Sequence, residues 1–211
     1  YLSEEEIMAQ AMVFFLAGYE TTASTLSFTL YELAKNPDIQ ERLYREIQTV
    51  KQQDSTFSNA TLSKLPYLDA VISEALRKYP TALILSREAN KPVYIPGLKL
   101  TLEAGQAVNI PIYAIHHSEE FFPNPERYDP ERFMPENRHK VVPYSYLPFG
   151  GAPRNCIGMR FALTEAKMGL ARIVDQFRVV RVKETTDKLT VLKGAFLLKT
   201  SPINLGVKKR Y

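Results

Sequence analysis

The stretch 146–167, YLPFGGAPRNCIGMRFALTEAK, contains Cys156, the only cysteine of the 211-residue chain. A lone cysteine in an arbitrary protein is most often a small buried side chain. Here it follows a loop rich in glycine and proline and precedes an amphipathic run with helical periodicity. The sequence therefore raises the question whether this thiol belongs to the core or to a reactive site.

The residues around Cys156 favour a reactive site. Gly150, Gly151 and Gly158 permit a tight backbone and the close approach of a ligand. A helix that begins around Ile157 would direct its free N–H groups and its positive end toward the sulfur. This setting favours the thiolate, which is suited to axial ligation of haem iron. No hydrolase motif surrounds the cysteine, and one cysteine cannot supply a zinc site that needs several Cys or His ligands.

The composition excludes several other classes of protein. Hydrophobic residues make up 45% and charged residues 24%, as in an ordinary globular protein. A single cysteine cannot form an intramolecular disulfide. A net charge of +4 permits an acidic partner or a membrane surface, but it does not support binding to nucleic acid. The apolar run at 7–19 is too short to cross a bilayer, and the opening residues suggest a longer protein cut near a helix start.

Periodicity and capping residues predict a mainly α-helical first third. Ser3 and Glu6 match a capping box for a helix that continues to about Lys35. Apolar residues occupy most faces of this helix, so we expect much of it to be buried. Asn36 before a proline predicts a stop and the N-cap of a second helix. A third helix is expected to begin at residue 66 and to end at Pro80.

The remainder of the sequence predicts small sheets and one more helix. Short alternating runs at 91–95 and 98–103 favour strands joined by turns. Residues 117–146 are rich in proline and aromatic side chains, which predicts an irregular but packed meander. A helix is expected at 157–177, followed by short strands to the end of the chain. No convincing domain boundary interrupts the sequence.

The loop PFGGAPRNCIG, at 148–158, resembles the haem-binding loop of the cytochromes P450, the haem-thiolate monooxygenases. Their pattern is Phe-x-x-Gly-x-Arg-x-Cys-x-Gly, which Phe149, Arg154, Cys156 and Gly158 match. Ala152 replaces the second glycine, and alanine there requires a negative φ or some strain. The resemblance implies that Cys156 ligates the iron of haem b and that Arg154 binds a haem propionate.

The hexamer AGYETT, at 17–22, resembles the oxygen-activating helix motif of the same family. The resemblance places Ala17 and Gly18 over the haem, with Glu20 and Thr21 near the oxygen. A threonine hydroxyl can donate to a distal oxygen atom, and a glutamate can deliver protons through water. Considered alone, this hexamer fits equally well a helix whose threonines bond back to the preceding turn.

Two further segments follow in the order of the family. EALR supplies Glu74 and Arg77 on one helix face, which in isolation fits an exposed salt bridge. PERF, at 130–133, supplies Arg132, and the resemblance implies a Glu-Arg-Arg network behind the haem. The similar PERY at 125–128 is not assigned this role, because its distance to the cysteine loop fits less well. Arg87 occupies the position of another propionate ligand in microsomal members.

The segment AIHHSEEFFPNP departs from the His-Arg-Asp-Pro that is frequent in the family. His116 and His117 are therefore assigned only a propionate or structural contact. Residues 83–85 are expected to line the substrate pocket, although 81–83 fit a core segment equally well. Arg160 and Lys167, on the helix after the thiolate, are expected to help dock an acidic reductase.

The resemblance covers essentially all 211 residues and predicts the fold as mainly α with small β-sheets. It implies the C-terminal portion of the cytochrome P450 fold, from the long central helix onward, so that 1–211 form one partial domain. The N-terminal half and a membrane anchor are expected upstream. The amino-acid sequences of the motifs are most similar to those of microsomal, drug- and toxin-oxidising members.

The implied activity is insertion of one atom of O₂ into a small apolar substrate. Electrons would come from NADPH through a P450 reductase, with cytochrome b5 as a further partner. The implied location is the cytoplasmic face of the endoplasmic reticulum membrane. Two alternatives stay open: a haem-thiolate isomerase or dehydratase, which in this family often lacks the Glu20–Thr21 pair, and a non-catalytic truncated fragment.

Overall fold

The computed structural model describes residues 1–192, 194 and 197–210, and its described part is mainly helical with three small antiparallel sheets. This is the predicted fold class. The helices are α1 (Glu4–Lys35), α2 (Pro37–Lys51), α3 (Asn59–Leu62), α4 (Pro66–Lys78), α5 (Ile112–His116) and α6 (Met159–Gln176). The strands are β1 (Leu85–Glu88), β2 (Val93–Ile95), β3 (Leu100–Leu102), β4 (Ala107–Ile110), β5 (Phe177–Arg181) and β6 (Leu205–Lys209).

Local sequence sets the ends of the long helices. The Ser3 hydroxyl accepts the N–H of Glu6 and the Glu6 carboxylate accepts the N–H of Ser3, so the predicted capping box begins α1. Asn36 leaves the helical region before Pro37 and separates α1 from α2. Its side chain does not cap α2 as expected, because the Asn36 amide donates instead to the Glu32 carbonyl (2.8 Å).

The first turns of α1 correct the expectation that most of this helix is buried. Every residue before Gly18 is exposed, and burial begins only at Thr22. The periodicity of α1 indicates a helix suited to contact on many sides, but the described residues supply partners only for its second half. No described helix is long and apolar enough to span a membrane. The large apolar side chains exposed on α1 are Ile7, Met8, Met12, Val13, Phe14, Phe15, Leu16 and Tyr19.

The core is built around α4, which packs against α1, α2, α6 and the 3₁₀ turn Pro130–Phe133. Leu43 of α2, Leu68 of α4 and Leu170 of α6 are fully buried in it. Each such leucine contributes roughly 1.5–3 kcal/mol relative to an exposed side chain. This helical core fixes the position of α4, and α4 carries the Glu-x-x-Arg pair.

The meander and the sheets complete the framework. Residues 117–146 form an irregular but packed segment, as predicted, with Phe122, Tyr128 and Phe133 buried. The predicted strands β2 and β3 pair with each other, and β5 pairs with β6 after the last helix. The pairing of β1 with β4 was not predicted, and it places Arg87 opposite Val108.

Candidate functional site

The thiol of Cys156 is exposed, so it is not the buried core residue that a lone cysteine most often is. The N–H of Cys156 donates to the carbonyl of Phe149 (2.8 Å), which closes the loop upon itself. Gly150 has φ of +75°, and a Cβ there would lie 3.5 Å from Cδ1 of Leu85. The loop therefore requires glycine at 150 for its backbone conformation.

Helix α6 begins at Met159, two residues after the predicted start, with Gly158 as its N-cap. Cys156 lies just before this helix end, as the sequence predicted. The non-glycine residues described with positive φ are Phe57, Lys99, Asn124 and Tyr144. Ala152 is not among them, so the strain considered for alanine at the usual glycine position does not arise in the described backbone.

Arg87 and Arg154 lie side by side at the cysteine loop. The Nη2 of Arg87 is 3.4 Å from the carbonyl oxygen of Arg154, and its Nη1 donates to the carbonyl of Ser86 (2.8 Å). Both arginines are exposed. The Arg87 guanidinium thus lies beside the loop that carries Arg154 and the accessible thiol, and exposed guanidinium groups can bind a ligand that carries carboxylates.

A small, mostly apolar pocket joins the AGYETT motif to the cysteine loop. Its lining includes Thr21 and Thr22 of α1, Phe149 of the loop and Ala162 of α6. The structure thus brings together two motifs that are more than 120 residues apart in the sequence. Phe149 contacts this pocket and also packs against the helical core.

The two threonines of the motif differ in their hydrogen bonds. The hydroxyl of Thr21 donates to the carbonyl of Ala17 (2.7 Å), so its oxygen can still accept a hydrogen bond. The hydroxyl of Thr22 is buried and has no hydrogen-bond partner among the described residues. A Cβ at Gly18 would meet no atom of the described residues within 4 Å, so the backbone here is open to a flat ligand. Ala17, one residue earlier, is exposed.

Glu20 is not brought to this pocket. Its carboxylate lies 3.0 Å from the Nζ of Lys199, and 46% of its side chain is exposed. Since successive residues on a helix point about 100° apart, Glu20 and Thr21 face different surroundings. A role for Glu20 in proton delivery remains a prediction.

Glu74 and Arg77 form a fully buried, two-pronged ion pair. The Nε and Nη2 of Arg77 donate to the two carboxylate oxygens of Glu74 at 2.7 and 2.8 Å. Both side chains are 0% exposed, so the alternative of an exposed salt bridge does not apply. Burial raises the pKa of Glu74, and the Arg77 guanidinium opposes that rise. The N–H of Asp129 also donates to Glu74 (2.9 Å).

Arg132 reaches this pair only loosely. Its Nε lies 3.6 Å from Oε1 of Glu74, beyond hydrogen-bond distance, while its Nη2 donates to the carbonyls of Pro123 and Asn124. The structure thus brings the three predicted residues together, with Glu74–Arg77 as the tight part. Tyr128, in the similar PERY segment, is buried and donates to the carbonyl of Val71.

A second buried charge cluster was not predicted. Glu32 on α1 is 1% exposed and lies 3.0 Å from the Nζ of Lys78 on α4. The hydroxyl of Tyr79 donates to the same carboxylate, and burial raises the pKa of Tyr79. No spacing signal could have revealed this cluster, because Glu32 is 46 residues from Lys78 and 47 from Tyr79 in the sequence.

The residues expected to dock a reductase differ in availability. Arg160 is exposed. Lys167 forms an ion pair with Asp69 (2.8 Å), and only 17% of its side chain is exposed. The charge of Lys167 is therefore largely engaged within the chain, which corrects the expectation of a free cation there.

The site has the donor set of a single-thiolate metal centre. Among the described residues, no group of three or more His, Cys, Asp or Glu side chains could hold a metal ion. Axial ligation of haem needs only one thiolate from the protein, since the porphyrin supplies the equatorial ligands. The exposed Cys156, the exposed Arg87 and Arg154 at the loop and the open backbone at Gly18 fit that group. The class of protein that this combination suits is a haem-thiolate protein.

Comparison with known proteins gives the family. The model of the family described as Cytochrome P450 matches residues 1–207. The chain belongs to the cytochrome P450 family, which confirms the resemblance found in the cysteine loop.

Relatives from insects and mammals resemble the chain closely. Probable cytochrome P450 6a13 of Drosophila melanogaster is 46% identical over 200 residues, which are 94% of this chain and 41% of that protein. Cytochrome P450 3A7 of Homo sapiens is 44% identical over 209 residues, which are 99% of this chain and 41% of that protein. Cytochrome P450 9e2 of Blattella germanica is 44% identical over 195 residues, 92% of this chain and 37% of that protein. The chain thus spans about two fifths of the length of these relatives.

Proposed function

We propose that the chain is the haem-binding part of a cytochrome P450 monooxygenase and acts within a longer polypeptide. The observation that carries this proposal is the exposed Cys156, in a glycine loop beside Arg87 and Arg154. The activity inserts one oxygen atom of O₂ into an apolar organic substrate, while the second atom leaves as water. Relatives of which the chain spans about two fifths support the longer polypeptide.

In this proposal the residues of the loop hold the cofactor. Bound haem would supply the oxygen chemistry, and the protein would position and tune it. Cys156 would hold the iron through its sulfur, and Phe149 with Gly158 would shape the loop around it. Arg154 and Arg87 would pair with the haem propionates. The Glu74–Arg77 pair and Arg132 hold the segments behind the loop.

The residues of α1 that line the pocket beside the cysteine loop would hold and move protons during the reaction. Ala17 and Gly18 leave room for a flat macrocycle. The hydroxyl of Thr21 holds a proton that it shares with the carbonyl of Ala17. Rotation of this hydroxyl would let it donate toward the substrate side. Glu20 would deliver protons through water after release from Lys199.

The proposed partners are an NADPH-dependent P450 reductase, cytochrome b5 and a small apolar substrate. Arg160, exposed near the cysteine loop, suits an acidic electron donor, and the sequence pI near 9.0 agrees with that. The proposed location is the cytoplasmic face of the endoplasmic reticulum membrane. The resemblance of the motif sequences to those of microsomal members supports this location.

A haem-thiolate isomerase or dehydratase is the second candidate. Such an enzyme rearranges an oxygenated substrate and needs neither O₂ nor a reductase. The Glu20–Thr21 pair disfavours it, because that chemistry has no need of groups that deliver protons to oxygen. A non-catalytic fragment is disfavoured by the intact site geometry of Cys156, Arg154 and Arg87.

An isotope experiment separates these candidates. Full-length holoprotein, NADPH and reductase are incubated under ¹⁸O₂ with a panel of small apolar compounds, and products are analysed by mass spectrometry. The proposal predicts products with one added ¹⁸O atom, dependent on both NADPH and reductase. Conversion of an oxygenated substrate without O₂ or NADPH would indicate the isomerase. A holoprotein that consumes no NADPH with any compound, although the reductase reduces it, would contradict the monooxygenase.

A further inference from the structure

His116, the last residue of α5, is fully buried next to the ion pair of α4. The sequence assigned it no more than a propionate or structural contact. A buried imidazole needs partners for both ring nitrogens, because an unsatisfied buried polar group is costly. The structure supplies one partner from α4 and one from the segment that leads into the cysteine loop.

The two hydrogen bonds fix the protonation of the ring. Nε2 of His116 lies 2.9 Å from the backbone nitrogen of Leu147, and Nδ1 lies 3.1 Å from the carbonyl oxygen of Arg77. A backbone N–H can only donate, so Nε2 accepts and Nδ1 carries the proton. The ring is thus held as one neutral tautomer. Burial lowers the pKa of His116 to about 4, which agrees with a neutral ring.

Leu147 connects the ring to the thiol. The Leu147 carbonyl accepts the N–H of Gly150 (3.0 Å). Two residues further on, the Phe149 carbonyl accepts the N–H of Cys156 (2.8 Å). The ring also stacks against Tyr146, with centroids 5.5 Å apart. One buried side chain therefore holds the beginning of the loop whose end carries the exposed cysteine.

Arg77 holds the other side of His116. Its Nη1 donates to the His116 carbonyl (2.9 Å), while its own carbonyl accepts the proton of the ring. Arg77 is in turn fixed by two hydrogen bonds to Glu74. Hydrogen bonds of His116 therefore join the residue that carries the ion pair to the backbone that leads into the cysteine loop.

We infer that His116 is a positioning residue that transmits the fixed position of the Glu74–Arg77 pair to the Cys156 loop. The bond from Leu147 to Nε2 holds the start of the loop and so stabilises thiolate ligation of the iron, an inference that rests on the proposed haem function. The role lies in the accepting nitrogen, since that atom makes the hydrogen bond of the ring to Leu147.

Three substitutions separate the functions of the ring. His116→Gln keeps an acceptor near the Nε2 position, His116→Asn keeps a donor near the Nδ1 position, and His116→Phe keeps only the ring shape. The matched control is His117→Phe. His117 is half-buried and stacks on Tyr113, and its ring nitrogen bonds only the Tyr113 carbonyl among the described residues.

The readouts are spectroscopic and structural. In full-length holoprotein, the reduced carbonyl complex is followed as its thiolate-shifted Soret band converts to the unshifted form. Hydrogen exchange of peptides that contain the Leu147 amide is measured in parallel. Loss of the bond leaves a buried N–H without an acceptor, so we expect conversion about tenfold faster in the Asn and Phe variants. His116→Gln should convert at a rate near the wild type, as should His117→Phe.

The pattern among variants decides the inference. Faster Leu147 exchange in the Asn and Phe variants, with Gln close to wild type, would support it. Equal behaviour of all three His116 variants and the control would overturn it, as would retention by Asn together with loss in Gln. Faster exchange throughout the protein would also overturn it, because it would indicate a general packing role. If the Phe variant does not fold, the comparison of Asn with Gln retains the test.

Failure of the proposed function is distinguishable from failure of this inference. A wild-type holoprotein without a thiolate-shifted band would contradict the haem-thiolate function itself. The exchange rate of the Leu147 amide would then still decide whether His116 holds the loop.

Discussion

The guanidinium of Arg77 is fully buried and is surrounded by hydrogen-bond acceptors of the protein. It donates to the carboxylate of Glu74 and to the carbonyls of His116, Pro125 and, more weakly, Arg127. Removing either Arg77 or Glu74 would leave the other as an unpaired buried charge. That unpaired charge destabilises the folded protein by more than the intact pair stabilises it.

Removal of either partner of the pair is therefore expected to prevent recovery of holoprotein. Glu74→Ala or Arg77→Ala should cost about 3–5 kcal/mol of stability, and haem content per protein should fall to a small fraction of the wild type. Arg45→Ala is the control, since it breaks an exposed pair with Glu41 at 3.7 Å and should change stability by about 1 kcal/mol or less. Normal haem content in either buried variant would show that the pair does not hold the site.

The hydroxyl of Thr21, and not that of Thr22, is expected to steer protons. Thr21→Val should leave haem content intact, because the residue takes no part in the ion pair. It should increase the hydrogen peroxide formed per NADPH and reduce product by roughly 10²-fold or less. Thr22→Val should alter this ratio less, since residue 22 lies about 100° further around α1. Product and peroxide per NADPH are measured with one substrate, and a larger effect in Thr22→Val would contradict this assignment.

At the scale of elements, the sequence predicted those helix ends that neighbouring residues determine. The capping box at Ser3 and the prolines at 37, 66 and 80 determine helix ends within a few residues, and those ends were found. The β1–β4 pair was missed because it joins Leu85 to Ile110 across 25 residues. Burial of the first turns of α1 was predicted wrongly, since periodicity shows a face suited to contact but not where its partner lies.

The β5–β6 ribbon contains a position where glycine is required by packing. A Cβ on Gly206 would lie 2.9 Å from Cγ1 of Val182 and 3.1 Å from Cγ2 of Val180. Gly206→Ala should therefore destabilise the protein by about 1–3 kcal/mol. Gly97→Ala is the control, because nothing lies within 4 Å of its Cβ position, and it should be neutral or slightly stabilising. Midpoints of denaturant unfolding compare the two, and equal midpoints would contradict the close packing at Gly206.

At the scale of the whole molecule, the site joins segments far apart in sequence. The resemblance of short motifs to those of the family pointed to Cys156, Arg154 and the Glu74–Arg77 pair. The contact of Arg87 with the loop and the bridge made by His116 depend on tertiary structure, and no local pattern encodes them. The exposed apolar side chains of α1 lie on the same helix as the AGYETT motif.

These exposed side chains predict how the 211-residue chain behaves alone. It carries Cys156 and the residues proposed to bind haem, while the first turns of α1 present a large apolar surface. We expect the isolated chain to self-associate and to retain much less than one haem per chain. Gel filtration with detection at the Soret and protein wavelengths checks this. A soluble monomer with stoichiometric haem would contradict it.

Ligation of iron by Cys156 is tested most directly by the spectrum of the Cys156→Ser protein. In full-length holoprotein, the reduced carbonyl complex of the wild type and of the neighbouring control Asn155→Ser should show the red-shifted Soret band of thiolate ligation. Cys156→Ser should lose that shift, because these 211 residues contain no other thiol. A Cys156→Ser protein that kept the red-shifted band would show that another group ligates the iron.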